Sequence, residues 1–500
     1  MGTVRVIAAF LGFFVSNAQL FAASVIAREV AVNESKLEKR RRREQKQLFS
    51  LNRQKEKGKY KGYFAVLLVI IVLVDLLDNF TTSVNANVTS CFINEFFVNG
   101  QLFGKSYTYE EGLALNNTIG LLGYVIAMLT PFYKALADKW GRKPLFVIST
   151  LGMATGLMLI YTCTSYVMFL VGTFTINFFL SHDVQIIYVL EEAPSQKRAR
   201  VYSALKGIGA MGAFFIPLLR ATMMHNDETL WRNVYLVPAI CGFVISLAVL
   251  IFAKETDVFI DERSTLLARP LEERLAEEAE HKKQKKAHAE KGGVINAIKY
   301  IFQHKDLRTL VIIKTIFDAA IIAMTMYEPM MTEGGMSTEN ITKAMFLYPI
   351  IYGVSVFISG FFADKIGRKT TVAIFGSLCL AAFVVFIIAI NSGWNPYLVG
   401  IAYGLYIGGY WIGRDYMEII STEMVPTEIR ASIVGAVGLL VYVGMAVGFV
   451  FVNVGILFAP IWLVCLIFSV PCVGVAVVLL MLKVKETKGT DYEKIGTEQE

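Results

Sequence analysis

Ionisable side chains buried in long apolar stretches are where chemistry is expected in this chain. Asp75 and Asp78 stand three apart in one such stretch and therefore share a helix face. His182 and Asp183 lie in a second, and Asp318 in a third. Arg414 and Asp415 follow the His-Asp pair at an offset of 232 residues (414 − 182), with Glu418 one turn further on. A charge at such depth costs about 3 kcal/mol on insertion scales and marks a solute or ion path by default. Burial favours the neutral form of a carboxylate, and an approaching cation such as Arg414 favours the charged form. Alternation between those surroundings couples a proton to a conformational cycle. Asp78, or its neighbour Asp75, is the expected proton carrier, with Asp183, Asp318 and Asp415 shaping a cavity. Arg414 can equally pair with Glu418 on its own helix and only fasten it. Tyr403, Tyr406 and Tyr410 follow an i, i+3, i+7 stripe, which suits a polyhydroxylated or amphipathic solute and also suits plain helix packing. Lys206, Arg220, Lys314 and Glu328 stand nearer the ends of apolar stretches, where snorkelling or fastening is expected.

The elements that position these groups are membrane helices. Hydrophobic residues make up 55% of the 500, and charged residues only 18% against about 25% in soluble domains; mean hydropathy is +0.53. Twelve apolar runs of spanning length lie near 62–84, 112–134, 144–163, 166–189, 201–223, 231–253, 307–330, 342–363, 370–390, 396–421, 430–453 and 457–482. Lys and Arg crowd the loops on one side: Lys139, Arg142 and Lys143, then Lys197, Arg198 and Arg200, then Lys365, Arg368 and Lys369, and Arg430. The opposite loop 85–110 carries only Lys105, and 331–341 carries neither Lys nor Arg. The positive-inside rule makes the first side cytoplasmic. The net charge of +7 fits loops lying against an anionic inner leaflet and calls for no nucleic acid.

The chain is internally repeated. Asp138-Lys139-Trp140-Gly141-Arg142-Lys143 returns as Asp364-Lys365-Ile366-Gly367-Arg368-Lys369, 226 residues on. Glu191, Pro194 and Arg198 return as Glu423, Pro426 and Arg430, and Lys254-Glu255-Thr256 as Lys485-Glu486-Thr487. Matched landmarks in matched order mean a duplication, and a parallel repeat in a membrane protein signals two bundles with a site between them. A loop Asp with Arg and Lys beside it can bind a neighbouring helix end or the Glu of the second landmark. Such a cluster forms when helix ends meet and breaks when they part, so Asp138, Gly141, Arg142, Glu191 and Arg198, with Asp364, Gly367, Arg368, Glu423 and Arg430, read as a conformational latch. Topogenesis alone would need the basic residues but not the repeated Asp and Gly.

The loops after the second and eighth runs resemble the signature of the major facilitator superfamily, and Gly360 completes the second copy, where the first has Lys134. The Glu-x-x-Pro-x-x-x-Arg elements and Lys485-Glu486-Thr487-Lys488-Gly489 are similar to the superfamily's sugar-porter-like branch. The resemblance spans residues 61–490 and implies an all-α membrane protein, with twelve transmembrane helices in two pseudo-symmetric six-helix bundles (the major facilitator fold) and a cavity lined by the first, fourth, seventh and tenth helices. No match to that branch's sugar-contacting motif is seen in the seventh run.

The expected organisation is an N-terminal extension 1–60 with a basic stretch, bundles 61–253 and 307–483, a cytoplasmic linker 254–306 and a tail 484–500. Val6 to Ala27 is mostly apolar; a further helix or a signal peptide competes there with a poorly ordered or surface-lying extension. Leu266 to Ala289 is charged and helix-prone and reads as a solvated tether. The six cysteines show no metal or disulfide spacing, no Gly-x-x-x-x-Gly-Lys-Ser/Thr loop is present, and no catalytic order stands out. The expectation is therefore no enzyme, cofactor or metal, but a monomeric plasma-membrane transporter of a small polar organic solute, sugar-like or ionic, coupled by proton symport. Proton-coupled export of organic cations or drugs, and a transporter-like solute receptor, remain alternatives.

Overall fold

Apolar runs of spanning length have one way to satisfy every backbone N–H and C=O away from water, and they take it. The computed structural model describes all residues except 1–37, 57, 59–61, 103, 128–139, 181–187, 189–190, 193–204, 206, 210, 226, 272, 275–293, 426–429 and 488–500. Among the described residues the regular structure is helical, joined by turns and short irregular connections, with one isolated bridge between Leu102 and Lys105. It forms two compact units, Met1–Tyr63 with Lys254–Lys283, and Phe64–Ala253 with Gln284–Glu500.

In the first unit, helix α1 (38–56) lies against the linker. The helices of the second unit, in chain order, are α2 (Tyr63–Val84), whose first residue belongs to the first unit, α3 (Tyr109–Ala127), α4 (Arg142–Tyr161) and α5 (Tyr166–Phe179). They continue with α6 (Gly207–Met224), which mixes tight and wide turns, and α7 (Asn233–Phe252). The linker contributes α8 (Asp257–Ala268) to the first unit and α9 (Val294–Gln303) to the second. Then come α10 (Lys305–Thr325) and α11 (Tyr327–Glu333), bent by 51° against each other, α12 (Thr338–Ile366), α13 (Arg368–Asn391), α14 (Pro396–Glu423), α15 (Arg430–Gly455) and α16 (Ile461–Lys483). Among the described residues, eight helices are long and apolar enough to cross a membrane, and the α10–α11 pair makes a ninth.

The linker helix starts earlier than the charge pattern of Leu266–Ala289 suggests. Thr256 caps α8 by accepting from the Phe259 N–H at 3.4 Å, and α8 ends at Ala268. Most of the highly charged stretch lies outside the described residues, as does Val6–Ala27. Helix forms where α1 offers a partner: Leu51 packs with Phe259 and Ile260, and Glu44 accepts from Arg274 at 2.8 Å and from Arg40 at 3.0 Å.

Close packing in the second unit rests on small residues, as is usual between membrane helices. A Cβ at Gly400, Gly404 or Gly408 of α14 would fall 2.1–3.0 Å from Ala344, Ile351 or Ser355 of α12. Gly444 and Gly448 of α15 stand in the same way against Thr315 and Ala319 of α10.

Candidate solute cavity and gates

The central charges of α10 and α14 form a ladder. Both helices carry a cation and an anion four residues apart, Lys314 and Asp318 on α10 and Arg414 and Glu418 on α14. The two helices run antiparallel, so each cation faces the other helix's anion. Arg414 Nε lies 3.2 Å from Asp318 Oδ2, and Lys314 Nζ lies 2.8 Å from Glu418 Oε2. Lys314 also donates to the Arg414 carbonyl at 3.2 Å. The alternative of an Arg414–Glu418 pair along one helix gives way to pairing across helices, because α10 brings a carboxylate to Arg414 and a cation to Glu418. Lys314, expected to snorkel or to fasten, is a buried rung with its side chain 3% exposed and takes the fastening role.

Tyr410 and Trp411 complete this level. The Tyr410 hydroxyl donates to Asp318 Oδ1 at 3.3 Å, and its ring stacks on Phe317 at 5.0 Å. The Arg414 guanidinium sits over Trp411 at 5.1 Å, a cation–π arrangement. Asp415 is different. It is exposed, it has no ion-pair partner among the described residues, and Tyr352 of α12 stands within electrostatic reach of it. Tyr406 is placed away from this cluster, fully buried and stacked on Phe383 of α13 at 4.4 Å; its stripe is split between packing and polar contact. Tyr403 donates to the Met324 carbonyl at 3.0 Å.

On α2, Asp75 and Asp78 are both buried, at 2% and 0% exposure. The Asp75 carboxylate lies where a side chain at Gly209 of α6 would go, its Oδ2 only 1.5 Å from an added Cβ. Helix α6 therefore has to lack a side chain there for the acid to fit. His182, Asp183 and Lys206 lie outside the described residues.

The three repeated landmarks of the second half meet at one point. Gly367 links α12 to α13 with φ +99° and ψ +164°, a conformation open essentially only to glycine; Gly141 repeats it at φ 104° and ψ 162°. The Glu486 carboxylate caps the start of α13, accepting from the Arg368 N–H at 2.8 Å and the Lys369 N–H at 3.1 Å. Arg368 pairs with Glu423 at 3.4 Å, and the Thr487 hydroxyl donates to Glu423. In the first half, Arg142 pairs with Glu191 at 3.1 Å. Asp138 and Arg198 lie outside the described residues; Asp364 stands in α12 and Arg430 begins α15.

The far end of the unit, away from these loops, is held shut by contacts between the halves. Glu328 of α11, 1% exposed, accepts from both the backbone and the hydroxyl of Ser90 at 2.8 Å. Arg220 of α6, also 1% exposed, donates to Thr342 at 3.1 Å and to the Asn87 carbonyl. Asn117 of α3 donates to Asn453 of α15 at 3.0 Å. Arg220 and Glu328 are therefore fastening groups and do not snorkel. Sequence reading missed the partners Ser90, Asn117, Thr342 and Asn453, which carry no signal beyond being polar near run ends. Outside the spans, Glu95 binds Arg232 at 2.5 Å and the Trp231 indole at 2.8 Å. Burial pulls the Glu95 carboxyl upward, and the bonds from Arg232 and Trp231 outweigh it, so it titrates below an ordinary glutamate.

A family model of the Major Facilitator Superfamily matches residues 69–449. The chain belongs to that superfamily. The cis,cis-muconate transport protein of Acinetobacter baylyi is 25% identical over 407 residues, covering 78% of this chain and 86% of its own length. The minor myo-inositol transporter IolF of Bacillus subtilis is 24% identical over 408 residues, covering 77% and 86%. Among solved structures, a D-xylose-proton symporter superposes with a TM-score of 0.63 at 15% identity, over 86% of this chain and 99% of that one. The inward-open xylose transporter from E. coli gives 0.60 at 15% identity over 87% and 99%. At such identities the structural likeness shows the fold, and it is the superfamily's twelve-helix fold of two bundles. A member of this superfamily with these relatives is a multi-pass membrane transporter of small solutes and not an enzyme.

Proposed function

We propose that the protein is a secondary active transporter that carries a small polar organic solute by alternating access, in symport with protons. The observation that carries this reading is the Asp318–Arg414 pair, a fully buried carboxylate held to a partly open guanidinium. Counted back by the repeat, Arg414 falls on His182 (414 − 232) and Asp415 on Asp183. Asp318 stands 13 residues into α10 (318 − 305) and Asp78 stands 15 into α2 (78 − 63). The first half thus offers a histidine, the side chain that titrates near neutral pH, where the second half has a permanent cation. Asp78, with Asp75 beside it, is the proposed proton carrier, and Asp183, Asp318 and Asp415 shape the solute cavity. Relatives named for muconate and myo-inositol transport support a small polar organic solute. With the basic loops, the linker and the C-terminus cytoplasmic, the end clamped by Glu328, Arg220 and Asn117 is the outer one.

A second reading, export of organic cations in exchange for protons, is favoured by the exposed Asp415 alone. Proteoliposomes separate the two. Symport predicts solute accumulation when the side of entry is acid, abolished in Asp78→Asn while solute counterflow survives, because exchange needs no net proton movement. Accumulation undiminished in Asp75→Asn, Asp78→Asn and the double variant would overturn the assignment, and accumulation only against an opposed gradient would establish exchange.

A further inference from the structure

Helix α1 has two faces. One is tied to the linker through Glu44, Leu51 and Gln54, whose side chain accepts from the Glu255 N–H at 2.8 Å. The other is a stripe of Lys39, Arg42, Lys46, Phe49 and Arg53, spaced i, i+3, i+7, i+10 and i+14, and every member is exposed. Phe49 stands out at 74% exposure in the middle of the four cations. Glu38, pairing with Arg42 at 2.7 Å, and Glu56, three residues after Arg53, flank the four cations and leave the stripe net positive.

We propose that this stripe rests on an anionic bilayer surface, with the cations on lipid headgroups and Phe49 inserted among the upper acyl carbons. Chain connectivity supports this. Residue 56 is helical and the first membrane span begins at Tyr63, and a stretch of chain of that length reaches at most about 25 Å. The C-terminal end of the stripe, at Arg53, is therefore kept near the membrane. A cationic helix face with a bulky ring is the pattern of helices that lie in the interface, and a leaflet with acidic lipids attracts each Lys and Arg near its surface. A second copy of the chain would present the same positive stripe and be repelled. Because the opposite face holds the linker through Phe259 of α8 and Arg274 beyond it, lipid charge would act on the segment that joins the two halves.

The test uses the full chain, with its cysteines replaced and a spin label at Phe49→Cys, in nanodiscs of phosphatidylcholine or with a third of that lipid replaced by phosphatidylglycerol. In the anionic discs the label should lose contact with a water-soluble nickel chelate and gain contact with oxygen. High salt, or Lys39→Gln, Arg42→Gln, Lys46→Gln and Arg53→Gln together, should reverse the shift. In the unlabelled chain, tryptic cleavage after Lys46 and Arg53 should slow about tenfold in anionic discs. A label equally open to nickel in both lipids would overturn the proposal. So would a label already shielded in lipid-free detergent, which would mean that protein covers the stripe. Retained binding of α1 to α8, read by unchanged thermal stability of the quadruple variant, separates lost docking from misfolding.

Discussion

At the residue scale, the most consequential choice is a carboxylate with no exposure set against an arginine. Arg414→Gln would strand Asp318 in a buried, unpaired state and should cost about 3–5 kcal/mol, read as a lower Tm in detergent. Adding Asp318→Asn should restore much of that stability without restoring transport. Full transport by the double variant would show that the pair only fastens helices. Glu95 supplies a pH dependence whose sign is fixed. Its carboxyl titrates lower in the folded protein than in the unfolded chain, so its contribution is present above the ordinary glutamate range and is lost as pH falls through the folded value. Acidification should lower the Tm of the wild type more than that of Glu95→Gln. The sequence marked Asp318, Arg414 and Glu418 correctly as ionisable groups in apolar runs, because cost alone singles them out. It did not show who pairs with whom, since a neighbour one turn away on the same helix and one on a different helix look alike until α10 and α14 are seen to run antiparallel.

At the scale of elements, the twelve runs were legible because a bilayer imposes length and composition together. Where a run lies wholly within the described residues, its helix keeps within a few residues of it: the run 370–390 is Arg368–Asn391 and the run 396–421 is Pro396–Glu423. The bend between α10 and α11 did leave a mark that the run lengths conceal: Pro329 has no N–H to give the Thr325 carbonyl, and the helix breaks at Met326. The latch loops repeat not only residues but backbone geometry. Gly367→Ala would force a side chain into a glycine-only conformation and set a methyl 2.4 Å from the Glu486 carboxylate. The strain alone should cost about 1–3 kcal/mol, and displacing the cap should expose the start of α13, so a Gly367→Ala protein should lose transport before it loses solute binding. Binding measured by thermal shift and transport measured by uptake would decide this; parallel loss of both would point to misfolding instead.

For the whole molecule, the contacts of Glu328, Arg220 and Asn117 across the halves define a state closed at one end. Each link is a hydrogen bond to or from a group that opening would return to water, so the clamp biases a two-state equilibrium and does not bar it. Glu328→Gln removes the charge from both bonds to Ser90, worth about 1.5–3 kcal/mol for a charged partner, or roughly a ten- to hundredfold shift in the open-to-closed ratio. Distances between spin labels on either side of the far end should lengthen accordingly. An unchanged distribution would mean that Arg220 and Asn117 alone set the balance. The duplication foretold two halves, but which end is clamped could not be read from it, because Ser90, Thr342 and Asn453 are small polar residues whose importance comes only from what they meet.

The ladder of α10 and α14 has an electrical consequence. Lys314 and Arg414 balance Asp318 and Glu418, so this core contributes no net charge of its own as the halves rock. Moving one elementary charge through the membrane field is worth about 2.3 kcal/mol per 100 mV. Any current that accompanies turnover therefore reports the cargo, the coupled ion and acids outside the ladder, such as Asp415. A neutral cargo with one proton would give a steady inward current, and a singly charged anion with one proton would give none.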